Sequence, residues 1–192
     1  ARIIPLAERS GLITRIGRWG IEEACRQMHE WDAQGLGSLL VSVNVSARQF
    51  YDCDLREVVD QARRRWPSRH SVLELEITES VLMDRPDAAI KQLCDLRRDG
   101  LRISLDDFGT GYCSLAYLTR FPIDTLKIDA RFVADLPDDH RAAAIARSVL
   151  ALGEQLGLEI VAEGVETEAQ LEFLRQQRCA HMQGFVFSPA VP

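Results

Sequence analysis

Short runs of alternating apolar and polar residues recur at 39–45, 72–77, 101–106, 124–128, 158–163 and 182–187, and each predicts a β-strand. The stretches between them carry helical spacing instead. Ile16, Gly20, Ala24, Met28 and Trp31 fall on one helical stripe that Gly35 ends, and further helices are predicted over 54–65, 84–99, 138–156 and 167–177. Asp84, Asp138 or Asp139, and Thr167 serve as N-terminal signals, because a short side-chain oxygen accepts from the first unpaired N–H groups of a helix. Strands alternating with helices imply a parallel sheet, either open and doubly wound or closed into a barrel.

The faces of the strands decide between these. Val41, Val43 and Val45 oppose Ser42, Asn44 and Ser46, because strand side chains alternate with period two. Leu73, Leu75 and Ile77 oppose Glu74, Glu76 and Thr78; Ile103 and Leu105 oppose Arg102, Ser104 and Asp106. Leu126 and Ile128 oppose Thr125, Lys127 and Asp129, while Leu158, Ile160 and Ala162 oppose Glu159, Val161 and Glu163. Central strands of an open sheet covered on both sides are apolar on both faces, so a polar face on strand after strand favours a barrel. The apolar face then packs on outer helices, and the polar face points inward toward a C-terminal mouth. A TIM-like (β/α) barrel has about eight strands and about 250 residues, so this chain is expected to be a modified barrel lacking about two strands at its N-terminus.

Composition narrows the functional classes. With 46% hydrophobic and 27% charged residues, the 192-residue chain reads as one globular domain over 1–192, with no linker or low-complexity tract to divide it. A formal net charge of -6 argues against wrapping a DNA or RNA polymer. Five cysteines without a Cys-x-x-Cys pair fit a reducing cytoplasm and a space-filling role. No stretch approaches the roughly 18 apolar residues of a membrane span, so direct membrane contact is not expected, and any anchor belongs to another part of a larger protein. Arg63-Arg64-Arg65 and Arg97-Arg98 read as solvated helix C-termini, and Trp19, Trp31 and Trp66 as core or helix packing.

The polar face ends, strand by strand, in Asn44, Glu76, Asp106 with Asp107, Lys127, Glu163 and Gln183. Carboxylates gathered at one mouth repel each other and lose hydration unless cations neutralise them. Oxygen donors alone select hard ions, so magnesium, manganese or calcium fits and a thiolate zinc site does not. Asp106 and Asp107 would face opposite ways in a regular strand, and the glycine-rich turn that follows is expected to let both swing inward. A pair of ions about 3.5–4 Å apart suits phosphodiester hydrolysis. An ammonium at Lys127 beside them would orient the attacking water or stabilise the transition state.

These residues sit in Val-Asn-Val-Ser-Ala-Arg-Gln-Phe (43–50), Glu-Leu-Glu-Ile-Thr-Glu-Ser (74–80) and Asp-Asp-Phe-Gly-Thr-Gly-Tyr (106–112). Asp-Thr-Leu-Lys-Ile-Asp (124–129), Ala-Glu-Gly-Val-Glu-Thr (162–167) and Gln-Gly-Phe (183–185) continue the series. In this ordered set the sequence resembles the EAL-domain family of bacterial cyclic-di-GMP phosphodiesterases from its first residues to its last. The resemblance implies a modified TIM barrel that hydrolyses cyclic-di-GMP to linear pGpG with two Mg2+ or Mn2+ ions. Asn44, Glu76 and Asp106 look like ligands of one metal, with Asp106 shared and Asp107 on the second. Glu163 looks like a ligand of the second metal or a partner of its water, Lys127 like an aid to the attacking water, and Gln183 like a lining residue. Glu79 resembles the family's residue that steadies the 106–114 loop, which links the metal site to a dimer face.

The family's Glu-Ala-Leu segment, which carries a further ligand, and the phosphate-binding Arg after it have no counterpart here. The chain is therefore expected to begin after them and, on its own, to be inactive. Cys113 stands where the family more often has Ser. The implied setting is cytoplasmic, as a homodimer fused to sensory or GGDEF domains, and the site could alternatively serve a catalytically silent cyclic-di-GMP receptor. A metal-dependent barrel enzyme acting on a carboxylate substrate is a third reading.

Overall fold

Strand and helix alternate along the chain as the two periodicities require, in a computed structural model that describes residues 3–110 and 114–189. The elements are α1 (Ile3–Ser10), α2 (Leu12–Ala33), β1 (Leu40–Asn44), α3 (Ala47–Asp52), α4 (Leu55–Arg65) and β2 (Val72–Thr78). They continue with α5 (Glu79–Asp84), α6 (Pro86–Arg98), β3 (Arg102–Phe108), α7 (Leu115–Leu118), β4 (Thr125–Ile128) and α8 (Ala130–Val133). Last come α9 (His140–Leu156), β5 (Glu159–Ala162), α10 (Glu168–Gln176) and β6 (His181–Met182). The sheet order follows the chain, β1-β2-β3-β4-β5-β6. One compact unit holds the elements through Ile77, with α6 and the first residues of β3; a second holds α5, the rest of β3 and all that follows.

In the first unit β1 and β2 run parallel, from Leu40 opposite Val72 to Asn44 opposite Glu76. The apolar face of β2, Leu73, Leu75 and Ile77, is fully buried, as the alternation predicts. Each such side chain contributes about 1.5–3 kcal/mol relative to exposure. Helix α2 packs against α3, α4 and β1 through Ile13, Ile21, Cys25 and Met28. Its buried stripe is therefore rotated from the expected one. At about 100° per residue, Trp19 lies roughly half a turn from Met28, and it is 65% exposed instead of belonging to a packed face. Ile16 is likewise exposed. Arg63 does more than face water: its guanidinium donates to the carbonyls of Asp99 (2.7 Å) and Gly100 (3.2 Å) after α6.

Asp32, near the end of α2, holds the turn that leads into β2. It accepts from the hydroxyls of Ser68 (2.7 Å) and Ser71 (2.8 Å) and from the N–H groups of Arg69 (2.7 Å) and His70 (3.2 Å). The Ser68 hydroxyl first, and then the other donors, hold its carboxyl well below the usual carboxylate range against the opposing effect of desolvation. A depressed folded pKa gives stability that is complete above the unfolded value of ~3.9 and is lost as pH falls through the folded one. Wild type is therefore expected to lose more stability than Asp32→Asn between pH 5 and pH 3, read as the change in urea midpoint. Equal losses in the two proteins would remove this linkage.

The second unit is a parallel run: β3 with β4, β4 with β5 from Thr125–Glu159 to Ile128–Ala162, and β5 with β6. Helix α9 packs over β4 and β5 and buries Ala142, Ala143, Ala146 and Val149. Asp139 caps α9 by accepting from the N–H groups of Arg141 and Ala142, and Thr167 forms a capping box with Gln170 at α10. Asp84 is not a cap. It ends α5, and α6 begins after Arg85 with Pro86 in the first turn, where a missing N–H and a fixed φ favour the start of a helix.

The final strand is shorter than expected. Only His181–Met182 pair with β5, and a turn from Gly184 to Phe187, closed by the Phe187 N–H on the Gly184 carbonyl (3.1 Å), ends it. Cys25, Cys53, Cys94 and Cys179 are free thiols, and burial pushes the Cys25 and Cys179 thiols up. Cys113 lies outside the described residues. Among those described, no helix is long and apolar enough to cross a membrane.

Candidate active site

The bringing together of Asp106 and Asp107 is a backbone event. Between the pairs Leu105–Leu126 and Phe108–Ile128, β3 advances three residues while β4 advances two, which is a β-bulge. Asp107 occupies the left-handed region at φ 56, a conformation that Asp tolerates better than most side chains. Its N–H donates to Asp106 Oδ1 (2.9 Å). The strand thus continues to Phe108, and a bulge within it, not the glycine turn beyond it, puts both carboxylates on one side. One oxygen each from Asp106, Asp107 and Glu163 come within 4.8 Å of one another.

The bulge is held from behind. Glu79, 1% exposed at the start of α5, accepts from the Gly109 N–H (2.9 Å). Gly109 lies at φ 91, and a Cβ there would stand 2.8 Å from the Phe132 ring of α8, so neither the backbone nor the space admits a larger residue. Glu79 therefore meets the segment it was expected to steady, as far as Thr110.

Lys127 of β4 is buried, with Nζ 2.5 Å from Glu163 Oε1 and 3.6 Å from Asp106 Oδ1. Glu163 is set beside it because its N–H donates to the Ile128 carbonyl (3.1 Å) just past the end of β5. Three carboxylates thus share this ammonium. Two like charges at such a separation repel by about 3–4 kcal/mol at an effective dielectric constant of about 20. Asp107 records the imbalance: burial first, then the Asp106 charge and a hydrogen bond with Asp129, push its carboxyl above the usual range, while Arg131 opposes this.

Asp129 is the residue the sequence reading left without a role. It shares the polar face of Lys127, and that period-two relation was the available signal. It bonds Asp107, caps α8 and accepts from the Arg131 N–H (2.8 Å) and Nε (2.9 Å). Burial would raise its carboxyl, but these Arg131 contacts outweigh burial and hold it low.

Gln183 follows β6 directly. Its N–H donates to the Ala162 carbonyl (2.8 Å) and its carbonyl accepts from the Val165 N–H (3.0 Å), so its backbone runs alongside Glu163. Asn44 and Glu76 belong to the first unit, where they are register partners at or near the ends of β1 and β2; Asn44 is exposed and Glu76 is 8% exposed. The converging groups of the second unit are carboxylate oxygens without thiolate or imidazole, and their uncompensated negative charge suits a hard divalent cation.

Comparison with known proteins agrees with this chemistry. The chain is 47% identical over 191 residues to the bifunctional diguanylate cyclase/cyclic di-GMP phosphodiesterase MucR of Pseudomonas aeruginosa, covering 100% of this chain and 28% of that protein. It is 42% identical over 191 residues to the cyclic di-GMP phosphodiesterase NbdA of the same organism, covering 100% of this chain and 24% of that one. The chain thus spans about a quarter of the length of these relatives. The solved structure of the PaMucR phosphodiesterase in complex with c-di-GMP superimposes with a TM-score of 0.93 at 47% identity, over 98% of this chain and 76% of that one. This likeness makes the fold class that of the TIM-like (β/α) barrel seen in such structures. With the EAL domain profile matching residues 1–190, the chain belongs to the EAL domain family.

Proposed function

We propose that this chain is the hydrolytic module of a cytoplasmic signalling protein that converts cyclic-di-GMP to linear pGpG using two divalent ions, magnesium or manganese. The observation that carries the reading is the convergence of Asp106, Asp107 and Glu163 on buried Lys127 across β3, β4 and the end of β5. Asp106, Asp107 and Glu163 would hold metal, and the roles of Asn44 and Glu76 as further ligands rest on the family resemblance. Bound divalent ions supply a lowered pKa for water and positive charge at the phosphate oxygens.

The protein groups do the positioning. Lys127 holds a proton at Nζ and donates toward the attacking water or the phosphate oxygen that gains charge. Glu163, in contact with Lys127, fixes that donor and takes up the proton that the water releases. Water adds at phosphorus, one P–O ester bond breaks, and the departing sugar oxygen leaves with a proton. Gln183 lines the site beside Glu163 with its amide. Glu79 and Gly109 keep the bulge in place, so the two aspartates need no reorganisation during reaction. A homodimer with sensory or GGDEF partners in a longer chain completes the proposal.

In the full-length protein, pGpG formed from cyclic-di-GMP with manganese or magnesium is expected to vanish on chelation with EDTA and return when either ion is restored. The same additions are expected to raise the unfolding temperature, since a ligand that binds only the folded state stabilises it. Undiminished turnover in EDTA would overturn the metal assignment. Binding of the dinucleotide without pGpG under any metal would leave the receptor reading in its place.

A further inference from the structure

Phe185 is the most conspicuous side chain in the second unit without a task. It is 69% exposed, and with Phe187, 53% exposed, it lines an open cavity of about 490 Å³ that also includes Gln183 and Ser188. A phenyl ring left in water forgoes burial worth about 1.5–3 kcal/mol, so its exposure at a ligand-lined groove calls for an occupant.

The ring is not on a loose tail. The Gly184–Phe187 turn is pinned to the loop after Glu163 by the Val186 N–H on the Val165 carbonyl (3.0 Å), and by the Gln183 carbonyl on the Val165 N–H (3.0 Å). Gly184 lies so close that a Cβ on it would stand 2.1 Å from the Val165 carbonyl oxygen, which leaves glycine as the residue that fits. The turn is thus built by backbone contacts, and nothing in them requires an aromatic residue at its tip. Adjacent strands lie about 4.8 Å apart. Two residues add at most ~7 Å along the chain. Phe185 therefore rises beside the carboxylate cluster at the distance by which a nucleotide separates its phosphate from its base.

We propose that Phe185 is a stacking platform for one purine base of the cyclic dinucleotide, and so a specificity-determining contact. This rests on the hydrolase reading for the position of the phosphate, and its chemistry is that of single-stranded nucleotide recognition, in which an aromatic face holds a base while charge is handled elsewhere. Alanine replacement of such platforms costs enough to weaken binding by about tenfold or more.

The test uses the full-length protein. Phe185→Ala is expected to raise KM for cyclic-di-GMP about tenfold with kcat within about twofold of wild type, and to weaken binding equally when measured in EDTA, where turnover is not needed. Phe185→Trp is expected to restore affinity and to show emission, in excess of wild type, that guanine quenches on binding. A fall in kcat and unfolding temperature with KM unchanged would show a packing role and overturn the proposal, as would a Phe185→Trp variant whose excess emission ignores the dinucleotide. Because binding in EDTA carries the test, a wild type that binds without turnover would count against the hydrolase reading alone.

Discussion

Glu163→Gln in the full-length protein is expected to cut cyclic-di-GMP turnover by about 10²–10⁴-fold, the range that a positioned acid–base group contributes. The substitution keeps the shape and removes the charge. Glu163 Oε1 lies 2.5 Å from Lys127 Nζ and within the cluster that Asp106 and Asp107 complete, so neutralising it both frees the ammonium and withdraws a metal donor. The second effect has its own signature: the manganese concentration for half-maximal activity should rise. Folding should change little, because loss of the ion pair is offset by relief of repulsion among three carboxylates. Rates of pGpG formation across a manganese titration, with thermal unfolding in EDTA as a control, decide the matter. Turnover close to wild type would remove Glu163 from the machinery.

Why Glu163 was legible in the sequence, and other features were not, follows from what each depends on. The polar face of each strand is a local period-two property, so Glu76, Asp106, Lys127 and Glu163 could be placed at strand ends before any coordinates. Asp139 and Thr167 were legible for the same reason, since a cap needs only its own next few N–H groups. The bulge at Asp106–Asp107 is different. It is a mismatch between three residues of β3 and two of β4, held by Glu79 on Gly109 from 30 residues away, and no periodicity within one segment records it. The sequence reading assigned the swing to glycine freedom beyond the strand, whereas Asp107 itself takes the left-handed backbone. Asp129 was seen on the correct face but acquires meaning only through its bond to Asp107. The buried face of α2 was misjudged by choosing Ile16 and Trp31 over Ile13 and Ile21, because a helix with apolar residues on more than one side is oriented by what packs on it. The last strand was overextended because alternation continues through Phe185 and Phe187 after the pairing has stopped.

Lys127→Met separates charge balance from catalysis. Lys127 is 4% exposed and faces Glu163 and Asp106, and removing one member of a buried ion pair costs about 3–5 kcal/mol because the partner stays charged and desolvated. In EDTA the variant should therefore unfold at a clearly lower temperature than wild type. Manganese should then raise its unfolding temperature by more than it raises that of wild type, because divalent charge replaces what the ammonium supplied. If Lys127 also donates to water or phosphate in the reaction, this rescue of the fold will leave pGpG formation lower by about 10²-fold or more, since a fixed donor aimed at developing charge is worth that much. Thermal unfolding and turnover measured on the same manganese series distinguish the cases. Recovery of both together would reduce Lys127 to a counter-charge, and its part in positioning the attacking water would have to pass to another group.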